Sequence, residues 1–388
     1  MREDWEVKIL DDLCEFVRGP FGGSLKKSCF VDEGYAVYEQ QHAIYDQFTD
    51  IRYFVDDDKF EDMKRFELQP GDLIMSCSGT IGKIAVVPEG IKKGIINQAL
   101  LKLTPNDKIN VDYLKYWFLS DGFLNSIAKH SKGVAIKNVA SVKVLKNIEF
   151  PLPPFPEQKR IVEILDEAFE AIDQARANVE CNIQNAEELF QSKLNEIFDK
   201  EIKEWSKRKL EDVCEEIFAG GDTPKENFSK EITEKLKVPV IGNAVKDRGL
   251  HGFTNEARVV KPSITIAARG SGTGHTEVRT EPYLPVVRLI VLIPDKNKIR
   301  LSFLKYVIDN LEILRSGTAI PQLTVPMIKS YSFHIPELEE QEKIEENLDI
   351  LSQNIDEIKE IYHRRIESLN ELKKSILQKA FSGELTAG

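Results

Sequence analysis

The chain repeats itself, and that constrains the fold more than any other feature. The run Trp5-Glu6-Val7-Lys8-Ile9-Leu10-Asp11-Asp12-Leu13-Cys14-Glu15 is answered by Trp205-Ser206-Lys207-Arg208-Lys209-Leu210-Glu211-Asp212-Val213-Cys214-Glu215, at an offset of 200. Further landmarks follow in the same order. Gly82 stands against Gly274 (offset 192), Leu114-Lys115-Tyr116 against Leu304-Lys305-Tyr306 (190), Gly133-Val134-Ala135-Ile136 against Gly317-Thr318-Ala319-Ile320 (184), and Glu157-Gln158 against Glu340-Gln341 (183). The offset only falls, as small deletions in the second copy require. Shared order of this kind marks a tandem duplication.

The later part of each copy predicts a long helix. Pro151, Pro153, Pro154 and Pro156 cannot lie inside a helix, and Pro156 or Glu157 suits a helix start. Beyond it, apolar or small residues recur in steps of three and four: Ile161, Leu165, Ala168, Ile172, Ala175, Val179, Ile183 and Ala186. The second copy matches position by position, with Ile344, Leu348, Leu351, Ile355, Ile358, Tyr362, Ile366 and Leu369. The pattern resumes with Leu189, Leu194 and Phe198 against Leu372, Leu377 and Phe381. Such steps make a coiled-coil seam. Each helix should run for about 40 residues, on the order of 60 Å, and needs a partner for its apolar stripe. Its twin is the expected partner. A pseudo-two-fold relation makes the pair antiparallel and leaves a globular domain at each end; packing on its own domain or on another protein is the alternative.

The expected fold class is therefore mixed α/β: two globular α/β domains at 1–156 and 205–335, separated by two long antiparallel helices, a central one at 157–204 and a C-terminal one at 336–388. Within the domains, Ile81 to Val87, Ile95 to Leu103, Ser263 to Ala268 and Val286 to Ile293 read as strands. Val111 to Leu119 and Leu301 to Leu311 read as helices.

Charge follows the same division. The net formal charge of −11 is concentrated in the helical segments, −7 for 157–204 and −6 for 336–388, whereas 1–156 carries −3 and 205–335 carries +5. Residues 84–148 hold 10 basic against 4 acidic residues. Local positive patches decide polyanion binding more than the total does. The five cysteines show no C-x-x-C spacing and the six histidines no ligand spacing, so neither a disulfide framework nor a zinc site is expected. Asp56-Asp57-Asp58 reads as a solvated acidic turn rather than a metal cluster. No phosphate loop, nucleophile elbow or amino-methyltransferase motif is visible, so no catalytic, cofactor or metal residues are expected. The start, Met1 to Asp12, has no signal-peptide h-region, and the longest apolar stretch, Leu284 to Pro294, is too short to cross a bilayer. A soluble cytoplasmic protein is the expectation.

Polar, glycine-bearing loops at matching places in the two copies carry the candidate DNA contacts. In the first copy these are Arg18, Ser24, Lys26 and Lys27; Ser78, Thr80 and Lys83; and Lys132, Lys137 and Asn138. In the second they are Thr223 and Lys225; Arg269, Ser271, Thr273, His275 and Arg279; and Gln322. Glycine lets backbone N–H groups approach phosphate, hydroxyls and lysine add donors, and Arg, Gln and Asn can pair with base edges. Each loop taken alone could equally be an ordinary turn.

The run Pro151-Leu152-Pro153-Pro154-Phe155-Pro156-Glu157-Gln158-Lys159-Arg160-Ile161 resembles the central signature of specificity subunits of type I restriction–modification systems. The run Leu372-Lys373-Lys374-Ser375-Ile376-Leu377-Gln378-Lys379-Ala380-Phe381-Ser382-Gly383-Glu384-Leu385 resembles the end of their second spacer helix. The resemblance covers the whole chain. It implies a non-catalytic subunit that reads a bipartite double-stranded DNA target and docks methyltransferase subunits, two in number, with restriction subunits joining through them. S-adenosylmethionine, ATP and magnesium would bind those partners and not this chain. The family's base-reading residues vary with target and follow no motif, so the loop residues above are inferred from the loops themselves. His334-Ile335-Pro336-Glu337-Leu338-Glu339-Glu340-Gln341 lacks the proline cluster, which leaves the exit angle of the second helix open. A coiled-coil protein scaffold without DNA specificity is the competing reading.

Overall fold

The computed structural model describes residues 4–21, 23–77, 82–130, 142–198, 205–270, 272–311 and 322–387. Contacts divide the chain into two units, 1–179 with 364–388 and 180–363. Each long helix is thus shared between them.

In the first unit, β1 (Glu6–Ile9), β2 (Cys14–Arg18), β3 (Tyr35–Tyr38), β4 (Phe54–Val55), β5 (Leu73–Ser76), β6 (Ile84–Val86), β7 (Gly94–Ile96), β8 (Leu100–Pro105) and β9 (Glu149–Leu152) precede the first long helix, Phe155–Phe198. They form a sheet of order β2-β8-β5-β6, a smaller sheet β4-β3-β7 and the pair β1-β9. The β5 run Leu-Ile-Met-Ser is buried throughout, as an interior strand covered on both faces requires. The second unit repeats the plan with β10 (Ser206–Lys209), β11 (Cys214–Ala219), β12 (Val238–Ile241), β13 (Leu250–Thr254), β14 (Ser263–Ile266), β15 (Thr276–Arg279), β16 (Leu284–Pro285), β17 (Ile290–Pro294) and β18 (Ser332–Ile335). Its sheets run β11-β17-β14-β15, β13-β12-β16 and β10-β18. A parallel strand pairing recurs as well, β3 with β7 and β12 with β16.

Among the described residues, the strands expected at Ile81 to Val87 and Ser263 to Ala268 are trimmed to Ile84–Val86 and Ser263–Ile266, and the other two are broken or cut back. Ile95 to Leu103 is two strands, because Asn97 Oδ1 accepts from Ala99 N (2.9 Å) and turns the chain. Val286 to Ile293 is regular only from Ile290, because Val287 and Arg288 adopt left-handed φ of 55° and 61°. The helices expected at Val111 and Leu301 are present as Val111–Phe118 and Leu301–Asp309.

The second long helix spans Leu338–Ser382. Inside each unit the two long helices run antiparallel. In the first unit, Glu157 Oε1 accepts from Thr386 Oγ1 (2.7 Å) and Asp173 pairs with Lys373 Nζ (3.0 Å). In the second, Glu187 pairs with Lys359 (2.5 Å), and Leu194 packs in one cluster with Leu348 and Tyr306. Of the expected seam, Ile161, Leu165, Ile172, Val179, Leu348 and Ile355 are buried, and Ile183, Ile344, Leu351, Tyr362 and Ile366 partly so. Three positions depart from it. Ile358 is 40% exposed, Leu189 59% and Leu372 47%. A step of four from Ala186 brings Phe190 inward instead, against Tyr306 (ring centroids 6.1 Å). Its counterpart on the second helix is Lys373, whose Nζ lies 4.4 Å from the Phe169 ring centroid.

Candidate nucleic-acid interface

Matching contacts set each domain on its helix start. Gln158 and Gln341 are both 0% exposed. Gln158 Oε1 accepts from Asn110 N (2.7 Å) while its Nε2 donates to the carbonyls of Lys108 (3.1 Å) and Pro153 (2.9 Å). Gln341 makes the same three bonds, from Arg300 N (3.0 Å) and to Lys298 (3.0 Å) and Pro336 (2.9 Å). Trp5 Nε1 donates to Glu157 (3.3 Å) and Trp205 Nε1 to Glu340 (3.2 Å). Tyr116 donates to Asp166, and Tyr306 to Asp349. The second helix therefore leaves its domain through the same clamp as the first, although only Pro336 remains of the proline cluster.

These clamps leave the far loops free, and there the candidate residues gather. In the first domain, Gly19 closes on the loop after β7: a Cβ there would sit 1.9 Å from Asn97 O, and Gly19 N donates to Leu100 O (2.9 Å). Cys77 N donates to Ala99 O (2.8 Å), and Arg18 lies beside the Cys77 thiol, opposing the upward pKa shift that burial imposes. Left-handed Gly82 (φ 76°) closes the β5–β6 hairpin onto Ser76 O (2.9 Å), and exposed Lys83 donates its N–H to Ser76 Oγ (3.0 Å). Ser24, Lys26 and Lys27 are exposed on the neighbouring loop. Ser78, Thr80, Lys132, Lys137 and Asn138 lie outside the described residues, as does Ser271 in the second domain.

The second domain joins all three of its expected loops. Gly220 N donates to Leu289 O (2.8 Å) and Val287 N to Gly221 O (2.7 Å), which ties down the segment that carries Thr223 and exposed Lys225. Gly274 (φ 92°) closes the β14–β15 hairpin onto Ala267 O (2.8 Å), as Gly82 does in the first copy. Arg269 Nη2 donates to Gln322 Oε1 (3.2 Å), and Leu323 N to Ala268 O (3.1 Å), linking the second loop to the third. Arg269 Nε is buried without a partner among the described residues. Thr273 Oγ1 donates to Gly270 O (2.7 Å), and His275 Nε2 meets Glu277 Oε1 at 3.2 Å. Arg279 is not a free surface cation. It is half-buried and donates to Arg248 O (2.6 Å) and Thr265 Oγ1 (3.3 Å).

Two further segments belong to this end and were not anticipated. One is Asn243–Gly249: Asn243 Oδ1 accepts from Ala268 N (2.8 Å), its Nδ2 donates to Val287 O (2.6 Å), and Gly272 packs on Val245. The other is the Val287-Arg288 turn itself. The sequence signal was faint, since Lys246-Asp247-Arg248-Gly249 is a turn-forming run with no partner motif in the first copy.

The matched cysteines at the starts of β2 and β11 are not activated nucleophiles. Burial pushes the Cys14 and Cys214 thiols up to about 12, so both remain protonated packing groups. Asp56 is a helix cap, accepting from Lys59 N (2.8 Å). Among the described residues there is no His/Cys/Asp/Glu group suited to a metal and no helix long and apolar enough to cross a membrane.

A family model for the type I restriction modification DNA specificity domain matches residues 2–180 and again 202–370, one match for each structural copy. The chain belongs to that family. A putative type I specificity subunit of Mycoplasma pneumoniae, S.MpnORF507P, is 30% identical over 209 residues, which cover 54% of this chain and 56% of that protein. The putative MjaX specificity subunit of Methanocaldococcus jannaschii is 26% identical over 422 residues, 99% of this chain and 94% of that one. Two solved chains share the fold. One, from a study of assembly and conformational transition of a type I system, superposes with a TM-score of 0.80 at 21% identity, over 98% of each chain. The HsdS subunit of Thermoanaerobacter tengcongensis gives 0.58 at 20% identity, over 99% of this chain and 98% of that one.

Proposed function

We propose that this chain is the DNA-specificity subunit of a type I restriction–modification complex, with each domain reading one half of a bipartite duplex. The observation that carries this is one scaffold built twice with unlike loop ends. Buried clamps recur bond for bond, whereas the loops differ in length, charge and conformation. Backbone N–H groups at the glycine turns, with Lys26, Lys27, Lys83 and Lys225, supply phosphate contacts that position the duplex. Arginine and amide side chains at the same ends supply base contacts.

The remaining roles extend this reading. The acidic long helices serve as the spacer between half-sites and as the docking surface for methyltransferase subunits, two per chain, through which restriction subunits join in the cytoplasm. S-adenosylmethionine, ATP and magnesium belong to those partners, and this chain performs no catalysis of its own.

The test is enrichment of random duplexes on the full chain assembled with its modification subunits. Two short conserved blocks separated by a fixed gap are expected, with affinity falling steeply as salt rises. Salt-sensitive binding with no base preference at any position would remove the specificity role. No binding at all would leave a protein scaffold.

A further inference from the structure

We propose that Arg248 reads a guanine in the half-site of the second domain, through the end fork of its guanidinium, with Glu277 and Arg279 holding it in place. This inference rests on the DNA-reading role above and assigns one residue within it.

Asp247 and Arg248 both have left-handed φ, 51° and 52°. Non-glycine residues rarely adopt that region, and consecutive ones persist only where the surroundings over-determine them. Here the surroundings do so. The Arg248 carbonyl accepts from Arg279 Nη2 at 2.6 Å, and Gly249, also left-handed at φ 79°, packs its backbone against Gly242 O.

The side chain is fixed as well. Arg248 Nε donates to Glu277 Oε2 (2.9 Å) and Nη2 to Val278 O (3.0 Å). Those two bonds use the side edge of the guanidinium, where the Nε and inner Nη2 hydrogens lie together. The end fork, one hydrogen each on Nη1 and Nη2, has no partner among the described residues, and the side chain stays 66% exposed. That fork is the one that spans guanine O6 and N7. A surface ion pair alone contributes little to stability, so the Glu277 contact does not explain why the backbone is held in this turn. A planar, oriented, half-satisfied guanidinium is what base reading needs, and a lysine would not supply it.

Position supports the assignment. The turn adjoins the loop that bears Arg269 and Thr273, through Asn243 and the Gly272–Val245 contact. In the first domain the segment after β3 is instead the helix Gln40–Tyr45, which carries no arginine.

The experiment uses the full chain with its modification subunits and a randomised bipartite duplex pool, comparing wild type with Arg248→Ala, Arg248→Lys, Arg279→Ala and the double alanine variant. Melting curves establish that each variant is folded. Arg248→Ala should lose roughly 10- to 100-fold of discrimination at one G·C pair in the second half-site and keep every other preference. Arg248→Lys should recover only part of it. Arg279→Ala should weaken the same position, and the double variant should be no worse there than Arg248→Ala, because both act through one contact. A uniform loss across all sequences, with the salt slope reduced by about one, would mean a phosphate contact and overturn the assignment. Unchanged preference would overturn it too. If wild type itself shows no preference, the specificity role fails first and this assignment with it.

Discussion

The two reading domains are alike where they meet a long helix and unlike where they end in loops. At the helix, the buried side chains of Gln158 and Gln341 make the same three hydrogen bonds, and the two tryptophan–glutamate contacts differ by 0.1 Å. At the loop end, the first domain exposes two rings, Phe21 (87%) and Tyr45 (73%). The second presents Arg248 on a left-handed turn and Arg269 tied to Gln322. A buried side chain that satisfies three backbone groups has no substitute of equal shape, so it persists through divergence. Loop tips carry no such constraint and can change with whatever they contact.

Equal clamps predict equal losses. Gln158→Ala and Gln341→Ala each remove the partner of one part-buried N–H, one part-buried carbonyl and one buried proline carbonyl, and each should cost about 4 kcal/mol in its own unit. Denaturant melts of the two variants, followed by probes in each unit, check this. A gap of more than about 1.5 kcal/mol between them would show that the clamps are equivalent only in geometry.

The seam gives the next largest effect. Ile172 and Ile355 are each 7% exposed, one in each unit. Replacing either by Asp places a carboxylate in an apolar seam and should cost about 3 kcal/mol. Ile358→Asp, at a position 40% exposed, should cost less than about 1 kcal/mol. If Ile358→Asp destabilises as much as Ile355→Asp, the antiparallel packing inside the second unit is misassigned.

Much of this was legible in sequence because the buried contacts are made by rare residues at fixed spacing. Trp5 and Trp205, and the Glu-Gln pairs, are recognisable landmarks for the same reason that they are structural ones: each fills one socket. Gly82 and Gly274 matched because both close a hairpin at positive φ. What was hidden follows from equally specific causes. Asp247 and Arg248 sit in a conformation that composition does not announce. Leu189, Ile358 and Leu372 fit the steps of three and four, yet a straight helix drifts by about 20° per heptad from such a seam, and the repeated step of four after Val179 moves the buried face on to Phe190. Arg279 looked like a free cation because sequence does not reveal that Arg248 stands in front of it.

At the loop ends the predicted effects are smaller and fall on binding. Lys83→Ala in the first domain and Arg269→Ala in the second should each weaken DNA affinity about 10-fold with little change in melting. The pair separates the two domains. Lys83 is exposed and acts as a point charge, so its loss should be uniform across sequences and lower the salt slope by about one. Arg269 shares its guanidinium with Gln322 beside the third loop, so its loss should fall mainly on particular bases. Competition titrations at several salt concentrations check both, and a uniform loss for Arg269→Ala would make it a phosphate contact as well.

The smallest effect concerns Glu277, whose counterpart in the first hairpin, at the offset of 192 set by Gly82 and Gly274, is Ala85. Burial works to raise its carboxyl, but the hydrogen bond and charge of Arg248, with help from His275 and Arg279, outweigh it and hold the group below the usual glutamate range. A carboxyl depressed in the folded state stabilises the protein above its unfolded pKa, and that contribution is lost as pH falls through the folded value. The partner Arg248 is largely exposed, so solvent screening limits the gain to about 0.5 kcal/mol. Glu277→Gln should therefore melt slightly below wild type at neutral pH, and the difference should close as pH drops below the ordinary glutamate range. A difference that widens toward acid would mean that the carboxyl is held protonated by burial and that Arg248 is not the group that fixes it.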